Sequence, residues 1–109
     1  MTLLQHNKDD LPTALCAASA SMLMGAFAAI RDYGLRVPED ISLIGIDEVD
    51  MAVYTTPPLS IVATSCEAAA KETVLRLIEL VEQGKASQSD YVIPDVDLYL
   101  RKSVRQIQD

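Results

Sequence analysis

The chain has 109 residues, half of them hydrophobic and 23% charged, with a net charge of −7 at neutral pH. That is the composition of one globular domain or part of one, not of a disordered chain. Nine Lys and Arg scattered among sixteen Asp and Glu do not form the clustered basic face that a phosphate backbone needs, so direct nucleic-acid contact is not expected.

Residues 1–11 are polar, end in Asp9-Asp10, and read as a loop or ragged start. They lack the basic opening and long apolar region of a secretory signal. No apolar run is long enough to cross a bilayer, so the chain is placed in the cytoplasm, away from membranes. Pro12 opens a short apolar run, Thr13 to Ala18, without alternation, as in a strand buried on both faces. Ser19 and Ser21 are candidate caps for a helix running to about Tyr33 and stopped by Gly34. From Met22 to Ile30 this helix carries no charge. A helix covered on one side only shows a polar stripe. This one is therefore expected to be covered twice, by a sheet and by a second protein chain.

Val37-Pro38-Glu39-Asp40 reads as a turn, Ile41 to Ile46 as a second buried strand ending at Asp47, and Leu59 to Thr64 as a third. Ser65 then caps a long helix closed by Gly84, with Val74, Leu77, Ile78 and Val81 on one face. Glu67–Lys71 and Glu72–Arg76 have the favourable order for ion pairs one turn apart. Tyr91 to Leu100 is a last extended stretch, broken by Pro94 and so irregular or at a sheet edge. The order β-α-β, β-α-β predicts an α/β fold with a parallel sheet.

In such sheets ligands bind beyond the carboxyl ends of the strands. Ser19 follows the first strand and Asp47 the second. A hydroxyl beside a carboxylate suits hydrogen bonding to a polyhydroxylated small molecule, although capping and strand ending account for the same residues. Other chemistry is poorly supplied. His6 is the sole histidine, no nucleophile elbow or glycine-rich phosphate loop exists, and Cys16 and Cys66 have no metal spacing. The acidic run Asp47, Glu48, Asp50 matches no calcium loop. No catalytic set, metal site or cofactor is expected, and the two cysteines are expected as free thiols.

Several stretches look like one known family. Pro12 to Ala18 followed by Met22-Leu23-Met24-Gly25-Ala26 resembles the strand-helix segment of LacI/GalR-type transcription regulators. Gly34 to Glu48 is similar to their most characteristic stretch, Thr56-Pro57-Pro58-Leu59-Ser60 to the next, and Arg101-Lys102-Ser103 to their closing motif. The resemblance implies part of a periplasmic-binding-protein-like (type I) effector-sensing domain spanning 12–103, with a tail at 104–109. Residues 12–50 and 91–103 would belong to one subdomain and 59–84 to the other. It further implies a sugar-like effector held between subdomains, a homodimer or higher oligomer, and an operator-binding helix-turn-helix elsewhere in the intact protein. Asp47 matches a position that commonly hydrogen-bonds the effector. Ser19 stands where Asn is usual and Ala20 where Asp is usual, which removes polar groups from that pocket. Met24 and Tyr54 match segments of the family's dimer interface, and Phe27, on the same uncharged helix, is taken with them.

Overall fold

The computed structural model describes residue 4 and residues 9–47, 50–85 and 96–108. Its elements are β1 (Ala14–Ala17), α1 (Ala20–Asp32), β2 (Ser42–Ile46), a 3-10 turn at Asp50–Val53, β3 (Ser60–Thr64), α2 (Cys66–Gln83) and β4 (Val96–Tyr99). The strands lie in the order β1-β2-β3-β4. β1 pairs parallel with β2 and β2 with β3, so the expected α/β class and parallel sheet are observed.

The local signals act where the sequence puts them. Ser19 caps α1, its hydroxyl accepting the Met22 N–H at 3.3 Å, while Ser21 lies inside the helix. Gly34 adopts φ 75° beyond the last turn, and Leu35 N–H reaches back to the Ile30 carbonyl at 3.1 Å. That left-handed stop suits a residue without a Cβ. α1 buries Leu23 and Ile30 completely. Each contributes about 1.5–3 kcal/mol of apolar burial. The close approach of α1 to the sheet needs Gly45, since a Cβ there would meet the Leu23 side chain at 2.5 Å.

The chain divides into two units, residues 1–63 with 97–109 and residues 64–96. The division falls after Ala63. Ser60, Ile61 and Val62 are in register with Ile44, Gly45 and Ile46, and the ladder holds them to β2 rather than to the helix that follows. The core lies in the first unit, around Leu23, Ile30, Ile41, Leu43, Leu59 and Ile61. Leu4, from the segment expected to be a ragged polar start, joins it and is buried. β1 is not buried on both faces. It is an outer strand, and Ala14 and Cys16 are exposed. β4 is the other outer strand, as Pro94 predicted, while Tyr91–Asp95 fall outside the described residues.

The segment after β4 is held by side chains. Ser103, completely buried, accepts the Ser60 N–H at 2.7 Å and donates to the Leu43 carbonyl. Ser60 in turn accepts the Arg101 N–H at 2.8 Å, and Ser42 the Arg105 N–H at 3.1 Å. The polar tail expected from residue 104 is thus still attached to β2 at Arg105. In the second unit Ser65 caps α2 by accepting the Ala68 N–H at 3.1 Å, and Gly84 ends it at φ 73°. Arg76 and Glu72 pair at 3.5 Å. Between Glu67 and Lys71 no ion pair forms among the described residues. Val74, Leu77, Ile78 and Val81 are all exposed, so this face is uncovered within the described structure.

Candidate functional site

Two neighbouring parallel strands end together. Ala17 of β1 stands opposite Gly45 of β2, so Ser19 and Asp47 follow at matching distances beyond the carboxyl ends. The topology therefore brings the two sequence-predicted effector residues to one edge of one sheet. Ser19 is half-buried in extended backbone, φ −148° and ψ 164°. Its oxygen is engaged in capping, which leaves the hydroxyl hydrogen able to donate. Capping and ligand contact are thus compatible in one side chain. α1 has no acidic residue of its own in its first turn to offset the positive end of the helix.

Asp47 is held in an unusual conformation. Its φ is 122°, the one positive value outside glycine among the described residues. Its N–H donates to the Val62 carbonyl at 2.9 Å, which anchors it to β3. A residue with a Cβ in this region carries about 1–3 kcal/mol of backbone strain, and such strain gathers at functional sites. Sequence pattern located Asp47 but gave no sign of this strain.

The residues expected at a dimer face all lie in the first unit, with different exposure. Met24 and Phe27 are half-buried against the core. Tyr54 is 81% exposed, at the end of a turn closed by its own N–H to Met51 O at 3.0 Å. Thr55 braces the same turn, its one hydroxyl hydrogen shared between the Ala52 and Pro57 carbonyls. On α1 the most exposed large hydrophobic side chain is Met22, at 61%, rather than Met24.

Among the described residues no group of His, Cys, Asp and Glu is placed to hold a metal ion. His6 and Glu48 fall outside the described residues. Cys16 and Cys66 are free and exposed. No helix is long and apolar enough to cross a membrane, among the described residues. Sequence reading missed the buried serines and a cleft lined by Phe27, Arg31, Pro57 and Lys102. Both assemble from residues far apart in the chain, so spacing carries no signal for them.

Residues 1–104 match the family described as periplasmic binding protein-like domain. The HTH-type transcriptional repressor PurR of Glaesserella parasuis serovar 5 (strain SH0165) is 34% identical over 106 residues, covering 93% of this chain and 31% of the repressor. The lac repressor dimer bound to operator and the anti-inducer ONPF has a TM-score of 0.78 at 34% identity, over 94% of this chain and 35% of that one. A LacI family transcriptional regulator from Arthrobacter sp. FB24, in complex with lactose, has a TM-score of 0.72 at 26% identity, over 95% and 38%. The chain thus spans about a third of the length of these relatives. They are regulators of transcription, not enzymes, and their fold is the type I binding-protein fold that the family resemblance implied. The chain belongs to the periplasmic binding protein-like domain family, and the relatives it resembles over about a third of their length are repressors of the LacI type.

Proposed function

We propose that this chain forms the effector-sensing and dimerising part of a cytoplasmic repressor, and that Asp47 and Ser19 hold a sugar-like small molecule. The observation that carries the reading is the strained carboxylate residue at the end of β2, level with the serine at the end of β1. The carboxylate accepts hydrogen bonds from ligand hydroxyls, and Ser19 donates one. The lactose-bound relative supports the choice of a sugar. Met24, Phe27 and Tyr54 form the face that meets a second copy, and the two units belong to the two subdomains of the family's sensing domain. Effector binding shifts operator affinity through the dimer, and operator recognition falls to other parts of the regulator.

Calorimetry of the chain against a panel of mono- and disaccharides tests the reading, followed by Asp47→Ala in the full-length regulator. Loss of about 1–3 kcal/mol of binding free energy is the expected result, because a charged hydrogen bond disappears. Unchanged affinity places Asp47 outside the pocket. A second reading, a dimerisation module without a ligand, is favoured by one observation. Ser19 and Ala20 replace the Asn and Asp usual in the resembling family, which thins the polar lining. Silence across the whole panel, with the dimer intact, selects that second reading.

A further inference from the structure

The connection after α1 and the turn before β3 enclose an open cleft of about 630 Å³, wholly within the first unit. It lies near the amino ends of β2 and β3, away from Ser19 and Asp47. Phe27, Leu35, Pro38 and Pro57 give it apolar walls. Arg31, Arg36 and Lys102 also line it, against one carboxylate, Glu39. In a chain of net charge −7 this is a local reversal of sign. Arg36 is committed to Asp40 through bonds at 3.0 and 3.1 Å. Arg31 and Lys102 make no side-chain hydrogen bond or ion pair among the described residues.

Lys102 sits in the closing motif between two residues with structural partners. Arg101 donates to the Leu59 carbonyl at 2.8 Å, and Ser103 bridges β2 and β3. Both neighbours have structural partners, and among the described residues the Lys102 ammonium has none.

We propose that this cleft is a second small-molecule site, taking a compact organic anion with an apolar body and one carboxylate. The body would lie against Phe27, Leu35, Pro38 and Pro57, and the carboxylate would meet Arg31 and Lys102. The volume lies within the range of small-molecule pockets, and apolar walls with a few convergent charges are their usual construction. Inorganic phosphate leaves the apolar walls uncovered, and a neutral aromatic gains nothing from the cations. The cleft shares no residue with Ser19 and Asp47, while Phe27 at its wall also belongs to the proposed dimer face.

Benzoate titrated into the full chain, followed by amide chemical shifts, is the test, with benzamide and phosphate in parallel. Saturable benzoate shifts centred on 27–39, 56–58 and 102 are expected, with benzamide and phosphate at least about tenfold weaker. The Arg31→Gln/Lys102→Gln double variant should weaken benzoate about tenfold, and Asp47→Asn should leave it unchanged. Both cations are on the cleft lining rather than in the core, so an unchanged thermal midpoint confirms that the variant is folded. Shifts that do not saturate by about 20 mM, that map elsewhere, or that benzamide or phosphate reproduces at equal concentration overturn the site.

Discussion

Ser103 accepts the Ser60 N–H at 2.7 Å, and this one hydroxyl joins the segment after β4 to two strands of the sheet. It donates in turn to the Leu43 carbonyl, while Leu43 N–H donates to the Ser103 carbonyl at 2.9 Å. Ser60 and Ser103 are both completely buried, so no water replaces a lost partner. Ser103→Ala should destabilise the chain by about 1–3 kcal/mol, the cost of stranding a buried donor and acceptor. Urea unfolding should show a lower midpoint at an unchanged slope. A midpoint equal to that of the unmutated chain would falsify the clamp.

Gly45 and Leu23 make the tightest approach of α1 to the sheet, and the pair should behave as coupled. Gly45→Ala places a methyl 2.5 Å from Leu23 Cδ2 and 3.2 Å from its Cβ. Leu23 is completely buried, so its side chain has nowhere to swing. Overpacking of this kind costs about 1–3 kcal/mol. Leu23→Ala alone should cost about 2–5 kcal/mol through the cavity it leaves. In the double variant the new methyl occupies part of that cavity, so the combined loss should fall short of the sum by about 0.5 kcal/mol or more. Strict additivity in chemical denaturation would show that the two side chains do not meet.

The turn before β2 is closed by Arg36 and Asp40 through both backbone and side chain. Arg36 N–H donates to Asp40 Oδ2 at 2.7 Å, and the guanidinium donates to both carboxylate oxygens. The side-chain bonds from Arg36, then its backbone N–H, hold the Asp40 carboxyl below the usual carboxylate range. A carboxyl lowered on folding adds stability above its unfolded value, and that stability is lost as pH falls through the folded value. The pair is solvent-exposed, so the contribution is small. A carbon-detected titration should find Asp40 below an ordinary aspartate, and Arg36→Gln should return it toward about 3.9. An Asp40 that titrates normally in the unmutated chain refutes the pairing.

The legible parts of the fold were those encoded in neighbouring residues. Ser19, Gly34, Ser65 and Gly84 act over one helical turn, and each sits where the pattern placed it. The strands at Ser42–Ile46 and Ser60–Thr64 were plain from their short, mostly apolar runs. The pairing of β3 with β2 was not plain, because the two strands are distant in sequence and only the ladder reveals it. Ser42, Ser60 and Ser103 look like ordinary polar residues until their hydroxyls are seen to replace missing backbone partners. For the same reason Leu4 gave no sign of joining the core. Of the candidate site, the positions of Ser19 and Asp47 were readable from strand ends, while the backbone state of Asp47 was not.

That backbone state yields a prediction that separates strain from contact at Asp47. At φ 122° a Cβ crowds the neighbouring peptide, whereas glycine adopts the same angle freely. Asp47→Gly and Asp47→Ala both remove the carboxylate, and with it whatever that group holds in the fold. They differ in one respect, the presence of a Cβ in a strained conformation. The glycine variant should therefore be more stable than the alanine variant by about 1–2 kcal/mol. Glycine's greater freedom in the unfolded chain works against this by about 0.5–1 kcal/mol, so the measured gap should be the smaller, net value. In the full-length regulator both variants should bind effector equally weakly, because neither restores a carboxylate. Thermal unfolding of the two chains side by side measures the first difference, and calorimetry the second. An alanine variant more stable than the glycine variant by about 0.5–1 kcal/mol would mean that residue 47 relaxes out of the positive region at no cost. A glycine variant that kept full effector affinity would show that the carboxylate makes no contact with the ligand.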